Sequence, residues 1–386
     1  MRRVLVVTSN VGEGHIAAAR ALAADLEAEC DGVEVAVVDA FAILGPLMRF
    51  VLLDAYRWQL GRAPWLFGSL YASFARVGVL QLLGRGGLVL FGRRRMLRHV
   101  RSHRPHVVVS TYPATTMVLG HLRERGMLAI PAYATITDLG GVEFWAHPGI
   151  DLHLVMDSRC IGPVEEVAGL GSARHVRPMV DAGFFEARSR GAARRALRLP
   201  AEAPLVVVSG GGWGVGDIEG AVRTVLRFQH AHVVCLAGRN AELEAQLQSA
   251  FAGVDRVSVC GFLDEMSDLL AAADALVHST GGVTVLEAAV RGCPVIAYGF
   301  PAGHLGTVTR EMVALGVVDH ASSTDELLLV LTRLIQDPPL REAVIELAPS
   351  AASLVLKADR RAGESRRASS SRAESLRWMV DARWRR

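Results

Sequence analysis

The chain has 386 residues, 51% apolar and 21% charged, a length that calls for about two domains and a composition that excludes bulk disorder. Its net charge of +3 is small and Lys357 is its single lysine, so the basic residues are otherwise arginines; no nucleic-acid partner is expected. Five scattered cysteines, Cys30, Cys160, Cys235, Cys260 and Cys293, form no CxxC pair, which argues against a disulfide framework and against a structural zinc.

Arg3 to Thr8 reads as a buried strand, and the start of the chain is too short and too soon polar for a signal peptide. A cytoplasmic chain is expected. Ser9 to His15 then forms a glycine-containing loop before an alanine-rich helix from Ile16 to Glu29, so His15 stands where open α/β sheets place their ligands. Val33 to Asp39 is the next strand. From Phe41 to Arg104 the pattern turns helical, with Trp58, Trp65, Phe67, Tyr71, Phe74 and Phe91 interleaved with leucines. Between Arg85 and Arg104 there are seven arginines and no acid. Aromatics beside arginines suit a lipid headgroup surface, so contact with an anionic membrane is expected, the alternative being a helical insert with a solvated charged face. The most apolar run, Phe41 to Leu53, is interrupted by Arg49 and falls short of the roughly 20 residues a spanning helix needs.

Val107 to Ser110, Ala132 to Thr137 and Leu152 to Met156 are further strands. Asp138 ends the second of these, a position open to a general base or to a cap. Met179 to Phe184 reads as a linker, followed by an arginine-rich helix from Ala187 to Leu199. The βα alternation then repeats: Leu205 to Ser209 runs into the glycine loop Gly210 to Gly216, which contains Gly211 and Gly212, and Val233 to Ala237 runs into Gly238-Arg239-Asn240. Val257 to Val259 leads to Gly261-Phe262. Two doubly wound α/β domains facing one another across a cleft lined by glycine loops are expected.

The stretch from Ala273 to Gly299 is a βαβ unit, with strand Ala275 to Val277, a break at Ser279-Thr280-Gly281-Gly282, helix Val283 to Arg291 and strand Val295 to Tyr298. Paired glycines at a helix start let backbone N–H groups and the helix dipole meet a phosphate, and Glu287, one turn on, can accept hydrogen bonds from two ribose hydroxyls. A tight turn with a dipole-complementing glutamate is the plainer alternative. From Asp325 to about Leu356 the chain reads as helical, and the remainder is low-complexity and basic.

Four of these stretches together, Gly12-Glu13-Gly14-His15, Ile136 to Asp151, Gly210 to Gly216 and Gly261 to Gly299, resemble the monogalactosyldiacylglycerol synthase-like glycosyltransferases, relatives of the enzyme that adds N-acetylglucosamine to the lipid precursor of peptidoglycan. The resemblance implies a GT-B fold, with residues 1–180 as an acceptor and membrane domain, 181–356 as a nucleotide-sugar domain and 357–386 as a basic tail. It implies an inverting transfer from a UDP-sugar to a lipid such as diacylglycerol, without a cofactor or metal, at the inner face of the cell membrane. By position, Phe262 would meet the uracil, Glu287 the ribose, and Gly281, Gly282 and Thr284 the diphosphate, with Gly211 and Gly212 facing the donor. The chain departs from the family pattern at Glu13, where the middle glycine is usual, at Val180, where an arginine is common, and at His304 and Leu305, which stand where many members hold the sugar hydroxyls.

Inversion needs a base on the face opposite UDP, and the strand ends of the first domain offer His15 and Asp138. His15, with an ordinary pKa near 6.5, is the expected base and Asp138 its support, since an aspartate near 3.9 is a weak base unless buried. A nucleotide-sugar epimerase of the same architecture and a non-catalytic subunit that binds nucleotide or lipid are the alternatives.

Overall fold

The computed structural model describes residues 2–11, 13–62, 78–263, 266–279, 281–299, 304–337 and 348–357. Strand β1 (Arg2–Thr8) leads into α1 (Gly14–Glu29) and β2 (Val33–Asp39). A helical insert follows, made of α2 (Ala40–Leu44), α3 (Pro46–Arg49), a π-helical turn at Phe50–Asp54, α4 (Ala55–Arg62) and the long α5 (Gly78–His103). The first half closes with β3 (Val107–Ser110), α6 (Pro113–Glu124), β4 (Ala132–Ile136), β5 (Leu152–Val155), α7 (Ile161–Ala168) and β6 (Ala173–His175). Its six strands pair in parallel in the order β2-β1-β3-β4-β5-β6. All residues of β3 and β4 are buried, as expected where helices cover both faces of a parallel sheet and its strands become continuous apolar runs.

The second half runs through α8 (Arg190–Ala196), β7 (Leu205–Ser209), α9 (Ile218–Val225), β8 (His232–Leu236), α10 (Ala241–Ala250), β9 (Val257–Cys260) and α11 (Met266–Ala272). It continues with β10 (Ala275–His278), α12 (Val283–Val290), β11 (Val295–Tyr298), α13 (His304–Ala314), β12 (Asp319–Ala321) and α14 (Thr324–Gln336). This sheet is also six-stranded and parallel, in the order β12-β11-β10-β7-β8-β9. The expected two doubly wound α/β halves are therefore present.

Several boundaries differ from the sequence reading. Helix α1 starts at Gly14, so His15 lies inside its first turn. The arginine-rich helix is shorter than expected, because the Ser189 side chain accepts from Ala192 N at its start and Arg198 adopts φ 55° just past its end. Helix α14 stops at Asp337, whose φ of −131° and ψ of 75° lie outside the helical region, because a residue before proline is pushed out of the α region. Residues 351–357 are helical and return to the first half, where Arg2 donates to Leu356 O at 3.3 Å and Arg177 N to Pro349 O at 3.0 Å. Trp65, Phe67, Tyr71, Phe74, Gly12 and the tail beyond residue 357 lie outside the described residues.

One apolar cluster runs continuously from Val4, Ala18 and Leu22 of the first half to Val283, Leu286 and Met312 of the second. Val180, at the position where the resemblance leads one to expect an arginine, is buried in this cluster. A second cluster packs the other face of the first sheet, through Leu5 and Val7, against Phe41 and Leu44 of α2, Met96 of α5 and Val118 of α6.

Candidate functional site

Strand order reverses between β1 and β3 in the first sheet and between β7 and β10 in the second. The crevice outside the carboxyl ends at such a reversal is where open α/β sheets bind ligands. The loops at these two places are the ones carrying Glu13 and Thr111 in the first half and Gly210–Gly216 and Gly281–Gly282 in the second.

In the first half the His15 ring packs against Tyr112 at 5.3 Å and Trp145 at 5.4 Å between centroids. Thr111 Oγ1, just past β3, donates to His15 O at 3.3 Å and fixes the backbone of the first turn. Trp145 also donates its indole Nε1–H to Asp138 Oδ2 at 3.2 Å. One tryptophan thus joins both candidate bases. Burial pushes the Asp138 carboxyl up to about 6, against the opposing effect of the Trp145 hydrogen bond. The burial that would make an aspartate a competent base is present. Tyr56 of α4, which sequence reasoning missed, is held far above its ordinary pKa by burial and by the nearby Tyr112 and Asp138, and its ring meets Trp213 at 5.8 Å.

In the second half Gly281 and Gly282 both have φ of 74°, a region that only glycine enters freely. His278 holds that turn, with Nε2 3.1 Å from Gly281 O and Nδ1 3.0 Å from Ser209 O. Burial lowers its pKa to about 4, so the imidazole is neutral at physiological pH. Helix α12 begins at Val283 with no side-chain cap and no acid in its first turn, which leaves its amides and dipole directed at the turn. Glu287 is half-buried, and its carboxyl is pushed up to about 7 by burial and by the charge of Asp181, a Thr284 side-chain hydrogen bond working the other way. Asp181, in the linker, was not anticipated.

Contacts across the crevice bring the halves together. A Cβ at Gly14 would lie 3.4 Å from Val283 Cγ2, so the first turns of α1 and α12 meet. Glu311 of α13 accepts from Gly141 N at 2.6 Å, seating that helix on the loop after Asp138. Glu13, the departure in the first loop, pairs through Oε1 with Arg239 Nε at 2.7 Å and packs against Gly212. The Arg239 guanidinium lies 4.0 Å from the centroid of the Phe262 ring, which is 44% exposed. The structure brings His15 and Asp138 to one wall, Gly281, Gly282, Thr284 and Glu287 to the other, and Gly212 and Phe262 to the rim through Glu13 and Arg239. His304 opens α13. Trp213, a single large aromatic in a run of glycines, was the one visible sign of the Tyr56 contact; Glu311 carried none.

Two facing doubly wound parallel sheets with glycine loops at both strand-order reversals define the GT-B class of glycosyltransferase folds. Residues 15–169 match the model of the monogalactosyldiacylglycerol synthase family, and residues 214–337 match that of the group 1 glycosyl transferases. The chloroplastic monogalactosyldiacylglycerol synthase of Spinacia oleracea is 27% identical over 346 residues, covering 84% of this chain and 65% of that protein. The processive diacylglycerol beta-glucosyltransferase of Bacillus subtilis is 22% identical over 306 residues, covering 77% of each. Among solved structures, a spinosyn rhamnosyltransferase complexed with thymidine diphosphate superposes with a TM-score of 0.59 at 15% identity, covering 93% of this chain and all of that one. The chain is similar to the monogalactosyldiacylglycerol synthase family over residues 15–169, and it spans less than two thirds of the length of several plant relatives it matches.

Proposed function

We propose that this chain transfers a sugar, with inversion, from a UDP-sugar to a lipid acceptor such as diacylglycerol. The observation that carries the reading is the meeting of α1 and α12 at Gly14 and Val283, which sets His15 beside the helix start suited to a diphosphate. Of the relatives named above, one is by name a monogalactosyldiacylglycerol synthase and the other a diacylglycerol glucosyltransferase, which supports this reading. His15 takes the proton of the acceptor hydroxyl as it attacks the anomeric carbon, with Asp138 supporting the ring through Trp145. The leaving diphosphate is received by the Gly281 and Gly282 amides, Thr284 and the α12 dipole, so the reading requires no metal or other cofactor. Phe262 backbone atoms meet the uracil, Glu287 the ribose, and His304 the sugar. Formation of a glycolipid from a UDP-sugar and diacylglycerol tests this, whereas an epimerase would interconvert UDP-sugars without lipid.

Glu287→Ala should weaken UDP about ten- to a hundredfold, because a charge-assisted hydrogen bond is worth about 1.5–3 kcal/mol. The ribose hydroxyls donate, so the ionised carboxylate is the binding form, and wild-type affinity falls as pH drops through about 7 and Glu287 takes up a proton. Calorimetry over that range should show the dependence in the wild type and lose it in Glu287→Gln. Equal UDP affinity in folded Glu287→Ala removes the ribose assignment.

The lipid would be reached by peripheral attachment to the inner face of the cell membrane. No helix among the described residues is long and apolar enough to cross a membrane. Leu47, Phe50, Val51, Trp58, Leu90 and Phe91 of the helical insert are exposed, and Arg94 and Arg101 are exposed on α5. Each basic residue near an anionic surface contributes about 1 kcal/mol, so Arg94→Gln with Arg101→Gln should reduce sedimentation with anionic vesicles roughly tenfold or more, and added salt should do the same to the wild type. Equal sedimentation with neutral and anionic vesicles would contradict the attachment.

A further inference from the structure

Helix α13 belongs to the second half by sequence, yet it touches turns of both walls. Val308 and Met312 are buried in the apolar cluster that joins the halves. A Cβ built on Gly140, in the loop after Asp138, would lie 2.9 Å from Val308 Cα. One built on Gly281 would lie 3.0 Å from Met312 Cε and 3.8 Å from Val308 Cγ1. Two glycine turns, one from each half, therefore close on a single turn of one helix. Contacts this tight leave α13 no room to shift without moving a wall.

Polar contacts fasten the helix to the first half at two points. Glu311 accepts from Gly141 N at 2.6 Å, and a carboxylate acceptor makes a stronger hydrogen bond than a neutral one. Arg159 Nη1, in the turn after β5, donates to Leu315 O at 2.6 Å, just past the helix end. Arg159 is itself oriented by Asp157, through Nε at 2.9 Å and Nη2 at 2.6 Å. What Glu311 holds is the start of a turn that leads to the candidate bases. Gly141, at φ 64° and ψ 26°, caps the 3₁₀ turn Val142–Phe144. Its carbonyl accepts from Phe144 N at 3.1 Å, and the Val142 carbonyl accepts from Trp145 N at 3.1 Å. The turn thereby delivers the buried Trp145 to the His15 ring and to Asp138 Oδ2. A carboxylate of the second half thus stands at the head of a chain of contacts that ends on His15 and Asp138 of the first.

We propose that Glu311 is a positioning residue for the sugar transfer: from the second half it fixes the Gly141–Trp145 turn, and with it the placement of His15 and Asp138 against the Gly281–Gly282 turn. The inference rests on the transfer reading and adds to it a residue that acts through Gly141 rather than on the substrate. A misplacement of reacting groups by about 1 Å costs up to about a hundredfold in rate, so the effect belongs to turnover. The nucleotide contacts of the second half keep their places when the first wall moves.

The test is steady-state transfer from a UDP-sugar to vesicles containing diacylglycerol by the full chain, beside calorimetric binding of UDP. Glu311→Ala should lower kcat about ten- to a hundredfold and leave UDP affinity unchanged. Glu311→Gln should recover most of the loss, since its amide oxygen still accepts from Gly141 N. Gly140→Ala, which sets a Cβ against the Val308 backbone, should reproduce the fall in kcat by a different route. The proposal is overturned if Glu311→Ala turns over like the wild type, if kcat and UDP affinity fall together, or if Glu311→Gln is as slow as Glu311→Ala. In each of these cases the wild type still forms glycolipid and the transfer reading stands. Absence of glycolipid with the wild type removes the transfer reading and the positioning role with it.

Discussion

Replacing His15 by alanine should lower turnover by about 10²–10⁴-fold, the usual loss for a general base, while UDP affinity stays nearly intact. The separation of the two quantities follows from the site: His15 stands on the first wall with Tyr112 and Trp145, and the nucleotide contacts stand on the second. Asp138→Asn should cost less, since it leaves the imidazole in place and removes only the charge that accepts from Trp145. Trp145→Phe discriminates further by keeping a ring against His15 while deleting the N–H that reaches Asp138. Both groups must be unprotonated to serve, and Asp138 sits at about 6, so turnover should fall as pH drops through about 6. If His15→Ala keeps most of its turnover and Asp138→Asn abolishes it, the base is the aspartate.

The second large effect is on stability. Arg194 is 1% exposed, yet its guanidinium is fully engaged: Nη2 pairs with Asp274 Oδ2 at 2.8 Å, Nε donates to Ala272 O at 3.0 Å, and Nη1 donates to the carbonyls of Pro200, Ala201 and Ala203. Asp274 in turn accepts from Leu205 N at 2.8 Å, at the start of β7. This arginine therefore ties α8 and the entering chain to the amino ends of β7 and β10, the central strands of the second sheet. Arg194→Ala takes the buried cation from Asp274, which keeps Leu205 N and the half-exposed Arg190. It also leaves several buried carbonyls without the guanidinium donor, and should cost about 3–5 kcal/mol. Arg194→Lys should recover little of it, because an ammonium cannot reproduce the planar fork. Arg190 also reaches Asp274, at 2.8 Å, but from a side chain 42% exposed, and Arg190→Ala should cost about 1 kcal/mol or less. Urea unfolding of the three variants measures the differences, and equal losses for Arg190→Ala and Arg194→Ala would refute the account of the buried fork.

Much of this was legible in the sequence because it is local. A β-branched run, a glycine turn and an apolar helix are written within about twenty residues, and the loops at Gly210 and Gly281 occupy the reversals that such a pattern implies. Short strands were not: β6 and β12 have three residues each, too few for any periodicity to show. The helix break at Asp337 was visible in principle, since Pro338 and Pro339 follow it. Distant contacts left no trace. Tyr56 and Trp213 are far apart in the chain, as are Gly141 and Glu311, and only the packing of the two halves joins them. The raised pKa values of Asp138 and Glu287 likewise depend on burial, which follows from the assembled fold and not from neighbours in sequence. Glu13 could be recognised as a departure from the family pattern, but its reason, a 2.7 Å pair with Arg239 across the crevice, appears only in three dimensions.

The most direct measurement is incubation of the chain with a panel of radiolabelled UDP-sugars and vesicles containing diacylglycerol, followed by separation of the lipid products. The account predicts label in a new glycolipid with one of the sugars, with release of UDP that rises with added diacylglycerol and falls by about 10²–10⁴-fold in His15→Ala. Interconversion of UDP-sugars in the absence of lipid, or UDP binding with no labelled lipid from any sugar, would contradict it.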